Sequence, residues 1–239
     1  MNANFFDKRV RPQGNKAAGV FIDLGSNFGQ SVEAFKRWKG ISSCNYDVFC
    51  FEANIEFIPQ LISRILPLQS EFSDLQILPV AAHTNNTFVE FDGWQLSEFG
   101  KDVSYRRRLV PAIDFVDWFA RISHRYDDII LKMDIEGAEY QIIHSLAKTR
   151  ELQKVTQLFI EIHGERSGFT SSDTQLLINT IYRCGIAPYM WECDVNDGLL
   201  YDPEKIFAQI VPSNYSGCNK LKTFYDHHYI LIPALLPSI

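Results

Sequence analysis

Short apolar runs alternate with segments of helical periodicity along most of this chain, and this alternation restricts its possible folds more than any other feature. Each run is nearly continuous, as in strands that are buried on both faces of a parallel sheet. The runs cover residues 20–24, 47–51, 75–82, 129–135 and 158–162. Because parallel strands are joined by right-handed crossovers, the pattern predicts a doubly wound, mostly parallel α/β sheet with helices on both faces.

The composition is that of one globular domain, with 46% hydrophobic and 22% charged residues in a chain of 239. No repeat, low-complexity segment or flexible linker divides the sequence. We therefore expect a single domain over residues 1–239, with an N-terminal extension at 1–18 and a loop-rich insertion at 194–222.

Local signals predict how some elements begin and where the sheet ends. A final pair of strands is expected at residues 186–193 and 225–232. Asp114 is a predicted helix N-cap, and either Ser172 or Asp173 is expected to cap a later helix.

The formal net charge of −6 argues against a nucleic-acid partner, because such binders usually carry a basic excess that contacts phosphates. The N-terminus lacks the apolar segment of a secretory signal, and no apolar run approaches the roughly 18 residues that span a membrane. We therefore expect a cytoplasmic protein without a membrane span. The five cysteines include no CxxC pair, which argues against a disulfide framework and a zinc site. The oligomeric state stays open.

The first candidate binding segment follows the first strand. In a doubly wound sheet, ligands bind beyond the carboxyl ends of the strands. Here that position holds Asp23, Gly25, Ser26, Asn27 and Gly29. The two glycines do not have GxGxxG spacing, and a carboxylate at the strand end suits a ligand with an ammonium group better than a phosphate. A tight turn that binds no ligand is the alternative.

The second candidate is Glu52, which ends the second strand 27 residues after Gly25. A carboxylate at this position can accept hydrogen bonds from the two cis hydroxyls of a ribose. Together with the acidic first loop, it favours S-adenosylmethionine over NAD as the ligand. Taken alone, it is equally consistent with a solvated glutamate at a strand end.

The third segment, KMDIEGAEY at residues 132–140, resembles the KIDVEGAE signature of the FkbM-type methyltransferase family, within the class I S-adenosylmethionine-dependent methyltransferases. FIDLGSNFG at 21–29 resembles the family's D-x-G-A-N-x-G loop, with Ser26 in the alanine position. CFEAN at 50–54 resembles the FEP segment, with Ala53 in place of proline. Three further segments follow in the family's order, at residues 79–91, 110–119 and 158–164.

This resemblance implies a Rossmann-like sheet of seven strands in the order 3-2-1-4-5-7-6, with the last strand antiparallel. It implies methyl transfer from S-adenosylmethionine to a hydroxyl of a sugar, a glycan or another small polyhydroxylated acceptor. The implied cofactor contacts are Asp23, Gly25, Asn27, Gly29 and Glu52, to which we add Ser26, Ala53, Ala82 after the third strand, and Asp134.

Three residues at the ends of the fourth and fifth strands are candidates for catalysis: Asp134, Glu136 and His163. A histidine titrates near pH 6.5, so His163 or the carboxylate of Asp134 is the expected general base. The alternatives are a structural role for His163 and a favourable interaction of Glu136 with the following helix dipole. Asp134 with Glu136 could also hold a divalent metal ion, but a lone acidic pair is a weak signal, and we expect no metal.

Three other functions are consistent with parts of the sequence. A methyltransferase acting on nucleic acid or protein would share the fold, but the chain lacks an NPPY-like motif and is acidic. A methyltransferase-like domain that only binds a partner is the non-catalytic alternative, and Asp23, Glu52 and Asp134 argue against it. An NAD-dependent enzyme is disfavoured by the glycine spacing.

Overall fold

The computed structural model describes residues 17–93, 106–164 and 167–191. The strands are β1 (Gly19–Leu24), β2 (Tyr46–Phe51), β3 (Asp74–Leu78), β4 (Ala81–His83), β5 (Thr87–Gly93), β6 (Arg106–Asp114), β7 (Asp128–Met133), β8 (Gln157–Ile160) and β9 (Tyr189–Met190). The helices are α1 (Gln30–Lys39), α2 (Ile58–Ile65), α3 (Phe115–Ser123), α4 (Glu139–Lys148) and α5 (Ser171–Arg183), with short 3-10 helices at Gly40–Asn45, Leu66–Glu71 and Leu152–Lys154.

A parallel sheet in the order β3-β2-β1-β7-β8-β9 forms the centre of the fold. Side chains alternate between its two faces. Ile22 and Leu131 pack with apolar residues of α3, α4 and α5, whereas Phe21 and Ile130 pack with apolar residues of α1 and α2. Helices therefore cover both faces, and the predicted doubly wound, mostly parallel α/β fold is confirmed.

The number of strands differs from the prediction of seven. The described part of the sheet has six strands, all parallel, and β9 pairs directly with β8. The expected order 3-2-1-4-5-7-6 would place a later strand between these two. The backbone N–H of Trp191 donates to the carbonyl oxygen of Ile160 at 2.9 Å, so the edge of β8 is already paired. The strand expected at 225–232 lies outside the described residues.

The run at residues 75–82 was expected to be one strand, and it forms two. β3 ends at Leu78, and β4 begins at Ala81 in a second sheet with the order β4-β6-β5. Pro79 stands between them, and a proline has no N–H to continue a hydrogen-bond ladder. The break sends the chain out of the main sheet beyond the carboxyl end of β3.

One of the two predicted helix caps is correct. The side chain of Asp114 accepts a hydrogen bond from the backbone N–H of Asp117 at 3.0 Å, as expected for the N-cap of α3. Helix α5 is capped by Thr170 rather than by Ser172 or Asp173. Thr170 and Asp173 form a reciprocal capping box, in which Asp173 occupies the third helical position.

The terminal parts of the sequence prediction are outside the structural description. Only residues 17 and 18 of the expected extension at 1–18 are described, and the expected insertion at 194–222 is not. Among the described residues, none of the helices combines the length and the apolar character needed to span a bilayer.

Candidate active site

The loop after β1 packs tightly between the ends of β2 and β7. The backbone N–H groups of Gly25 and Ser26 donate to the carbonyl oxygen of Phe51 at 3.0 and 2.9 Å. Gly25 has φ of 79°, and a Cβ atom there would lie 1.9 Å from the carbonyl oxygen of Asp134. Only glycine therefore lets the first loop approach the loop after β7 this closely.

Glu52 lies at the end of β2 and binds the first loop. Its Oε2 accepts a hydrogen bond from the backbone N–H of Asn27 at 2.6 Å, and its Oε1 accepts one from that of Asn54 at 2.7 Å. Burial raises the pKa of Glu52 above its usual value, and these two hydrogen bonds offset only part of the rise. Each carboxylate oxygen has two lone pairs, so both oxygens can accept one more donor.

Asp23 and Lys132 form a buried ion pair beneath the first loop. They are neighbours in the parallel ladder of β1 and β7, and Nζ of Lys132 lies 3.3 Å from Oδ1 of Asp23. The same Nζ donates to the carbonyl oxygen of Gly25 at 2.6 Å and lies 3.4 Å from Oδ2 of Asp134. Ser31 in α1 donates its hydroxyl to Oδ2 of Asp23 at 2.5 Å. One lysine thus connects the carboxyl ends of both central strands.

Lys132 is one residue of this site that sequence reasoning missed. Its side chain is 1% exposed and that of Asp23 is fully buried, so Asp23 is directed at Lys132 rather than at the rim. The sequence signal for this buried ion pair is a single lysine within the apolar run DIILKM of β7. A charge inside a buried strand needs a partner, and that requirement could have identified the pair.

Glu139, in the first turn of α4, folds its carboxylate back over the loop after β7. Its Oε1 accepts from the backbone N–H of Ile135 at 2.8 Å, and its Oε2 accepts from that of Gly137 at 2.7 Å. Oε1 also lies 2.9 Å from Nδ1 of His163, and the ring donates because a carboxylate only accepts. Glu139 therefore fixes both the loop and the imidazole.

His163 follows β8 and brings the predicted catalytic residues together. Its Nε2 lies 3.4 Å from Oε1 of Glu161, 3.6 Å from Oε2 of Glu136 and 3.7 Å from Oδ1 of Asp134. Burial alone would lower the pKa of His163, but its contacts with Glu139 and Glu161 and the nearby negative charges raise it to about 10. The imidazole is then cationic near pH 7, which is at odds with the prediction that it accepts a proton there.

The remaining predicted residues lie around these two loops. The hydroxyl of Ser26 donates to the carbonyl oxygen of Asp23 at 3.0 Å, and the N–H of Gly29 donates to the carbonyl oxygen of Ser26 at 2.7 Å. Ala53 is half-buried directly after Glu52. Ala82 lies in β4, and its side chain packs in the hydrophobic core. Any contact of Ala82 with a cofactor would therefore involve its backbone.

Comparison with known proteins agrees with the family suggested by the sequence. The family described as Methyltransferase FkbM domain matches residues 23–186. Among solved structures, the chain matches the crystal structure of Methyltransferase FkbM from Methylobacillus flagellatus KT, with 19% sequence identity and a TM-score of 0.42. The match covers 74% of this chain and 39% of that one, so this chain spans well under half of that protein. No curated protein sequence matches this chain significantly.

Proposed function

Because this chain belongs to the FkbM methyltransferase family, with residues 23–186 matching the family domain, we propose that it transfers the methyl group of S-adenosylmethionine to a hydroxyl oxygen. The proposed acceptor is a sugar, a glycan or another small polyhydroxylated molecule. The observation that carries this proposal is the state of Glu52, a buried carboxylate at the rim of the sheet with hydrogen-bonding capacity left on both oxygens.

The geometry of Glu52 fits the ribose of the cofactor. The two vicinal hydroxyls of a ribose are donors about one carboxylate width apart. Each oxygen of Glu52 accepts one hydrogen bond from a backbone N–H group and can accept one more. The bonds from Asn27 and Asn54 fix the orientation of the carboxylate before a ligand arrives. Such preorganisation lowers the entropic cost of binding.

The first loop would hold the methionine end of the cofactor. Asn27 is exposed and, like Gly29, has positive φ, so the backbone turns sharply after β1. Asp23 is fully buried and pairs with Lys132, so we propose that it acts on the methionine end indirectly rather than by binding the ammonium group as the sequence predicts. We assign it instead the positioning of Lys132, which in turn holds Gly25 and Asp134.

In this reaction the protein mainly has to align the acceptor and remove its proton. S-adenosylmethionine supplies a methyl group on a good leaving group, so the residues around it mainly orient the acceptor and exclude water. The acceptor hydroxyl must lose its proton as the new O–C bond forms. A carboxylate beside the end of β8 can accept that proton.

Glu161 is the carboxylate that we assign as general base. Burial raises the pKa of Glu161, and the charge of Asp134 adds to the rise, while its contact with His163 opposes it. A higher pKa makes a carboxylate a stronger base near neutral pH. Asp134 is less suited because its Oδ2 already pairs with Lys132 at 3.4 Å, and His163 is less suited because it is already protonated.

The test combines calorimetry with a methyl-transfer screen. Wild-type protein should bind S-adenosylmethionine and transfer a labelled methyl group to at least one member of a panel of sugars, glycans, nucleotide sugars and small alcohols. Glu52→Gln should weaken cofactor binding, whereas Glu71→Gln, which alters a carboxylate that pairs with surface Lys36, should not. Absence of cofactor binding by the wild type would leave a non-catalytic domain as the better interpretation, and methylation of nucleic acid or protein alone would replace the acceptor class.

A further inference from the structure

Three side chains from the ends of β7 and β8 offer donor atoms to a common point. One oxygen each of Asp134 and Glu136 and one ring nitrogen of His163 all lie within 4.8 Å of one another. Nε2 of His163 is 3.7 Å from the oxygen of Asp134 and 3.6 Å from that of Glu136. Metal–ligand bonds of about 2.1 Å place tetrahedral donors ~3.4 Å apart. The two pairs that include His163 are within a few tenths of an ångström of this spacing, and the two carboxylate oxygens lie within 4.8 Å of each other.

The burial and fixed orientation of the His163 imidazole support the same site. The residue is 6% exposed, and its Nδ1 is fixed by Glu139, whose side chain is fully buried. Nε2 points among three carboxylates at 3.4, 3.6 and 3.7 Å, all longer than the 2.7–3.2 Å of a good hydrogen bond. A histidine that donates one ring N–H to a carboxylate and presents the other nitrogen to acidic side chains has the arrangement typical of a metal ligand.

We propose that Asp134, Glu136 and His163 bind a divalent metal ion, which takes the place of the proton on Nε2 of His163 and releases that proton to solvent. Four carboxylates surround the imidazole, and the nearby cation Lys132 lies 3.4 Å from that of Asp134. A dication would relieve this excess of negative charge. One imidazole nitrogen with carboxylate oxygens suits Mn²⁺, Fe²⁺ or Zn²⁺ better than the all-oxygen sites of Mg²⁺ and Ca²⁺.

The site is open enough for an ion to reach it and to bind a further ligand. The side chain of Glu136 is 57% exposed and that of Asp134 is 22% exposed, so one side of the cluster faces solvent. An ion there would keep coordination positions for an acceptor hydroxyl, which it would orient and acidify, with Glu161 beside it to take the proton. This role in methyl transfer rests on the proposed function, whereas ion binding itself does not.

Titration of the metal-free 239-residue chain with Mn²⁺, followed by electron paramagnetic resonance, tests the site without cofactor or acceptor. Wild type should bind one Mn²⁺ per chain, with Zn²⁺ as a competing ion. Glu136→Gln should weaken binding at least about 10-fold, and His163→Ala should weaken it at least as much. The exposed Glu136 variant keeps the test valid if the buried His163 variant fails to fold. Glu71→Gln should bind Mn²⁺ like wild type, since Glu71 pairs with Lys36 on the surface.

The proposal is overturned if neither Mn²⁺ nor Zn²⁺ binds, or if Glu136→Gln and His163→Ala bind the ions as tightly as wild type does. Calorimetry with S-adenosylmethionine separates this failure from failure of the proposed function. Cofactor binding without ion binding removes the metal site and leaves the methyltransferase proposal intact. Ion binding without cofactor binding supports the metal site and removes the methyltransferase proposal.

Discussion

Replacing Lys132 with methionine should destabilise this protein strongly, because it leaves Asp23 as an uncompensated buried charge. The side chain of Lys132 is 1% exposed, and its Nζ lies 3.3 Å from Asp23 and 2.6 Å from the carbonyl oxygen of Gly25. Methionine has a similar length, so packing is largely preserved while the charge is lost. Removing one partner of a buried ion pair costs about 3–5 kcal/mol. Since stabilities of whole domains are about 5–15 kcal/mol, this is a large fraction of the total.

Urea denaturation followed by circular dichroism measures this loss of unfolding free energy directly. For a chain of this size, each kcal/mol corresponds to about 2–4 °C in melting temperature, so Lys132→Met should melt roughly 6–20 °C lower. Lys36→Met is the matched control, because Lys36 lies 3.7 Å from Glu71 with both side chains substantially exposed, and such a pair contributes about 0–1 kcal/mol. The double variant with Asp23→Asn should regain part of the loss. A Lys132→Met protein within about 1 kcal/mol of wild type would refute the reasoning.

Four other perturbations probe the same site. Gly25→Ala should lower the free energy of unfolding by about 2–5 kcal/mol, measured in urea, because its Cβ would meet the carbonyl oxygen of Asp134 at 1.9 Å in a backbone with positive φ; a neutral effect would contradict the close approach. Glu52→Gln should reduce S-adenosylmethionine affinity about 10–100-fold by calorimetry, since hydrogen bonds to a charged group are worth about 1.5–3 kcal/mol; unchanged affinity would remove Glu52 from the cofactor site. Glu161→Gln should lower kcat by about 10²–10⁴ with unchanged cofactor affinity, and equal turnover would exclude it as the base. The protonated His163 stabilises the metal-free fold fully below its unfolded pKa of 6.5, and this contribution disappears as pH rises through its folded pKa of about 10. Unfolding free energies between pH 7 and 10 should therefore fall by a few kcal/mol more in wild type than in His163→Gln, and parallel profiles would show that the ring carries no such shift.

The order of strands and helices could be read from the sequence because hydrophobic period is a local property. The central strands are continuous apolar runs. Asp114 could be recognised as an N-cap because it is an aspartate directly before a helical pattern. Two local features were misread. Pro79 ends β3 early, although the apolar run continues past it, and the N-cap of α5 is Thr170, two or three residues before the capping residues that we expected. In both cases the deciding signal was present within a few residues.

The contacts that build the site depend on long-range placement, which a single sequence does not contain. The contact of Glu139 with His163 at 2.9 Å requires α4 and the end of β8 to meet. Asp23 and Lys132 are adjacent only through the register of β1 with β7. The residues that gather at the rim were predictable, because parallel strands end at one edge of the sheet. Their protonation states and their side-chain partners were not predictable.

A crystal structure of the protein with S-adenosylmethionine would test the central claim most directly. The account predicts that the cofactor lies across the carboxyl ends of β1 and β2, with both ribose hydroxyls about 2.5–3.0 Å from the carboxylate oxygens of Glu52. Its methionine end should follow the loop from Gly25 to Gly29, with the methyl group directed towards Asp134 and Glu161. A cofactor bound elsewhere, or a ribose that makes no contact with Glu52, would contradict the assignment of this rim as the methyl-transfer site.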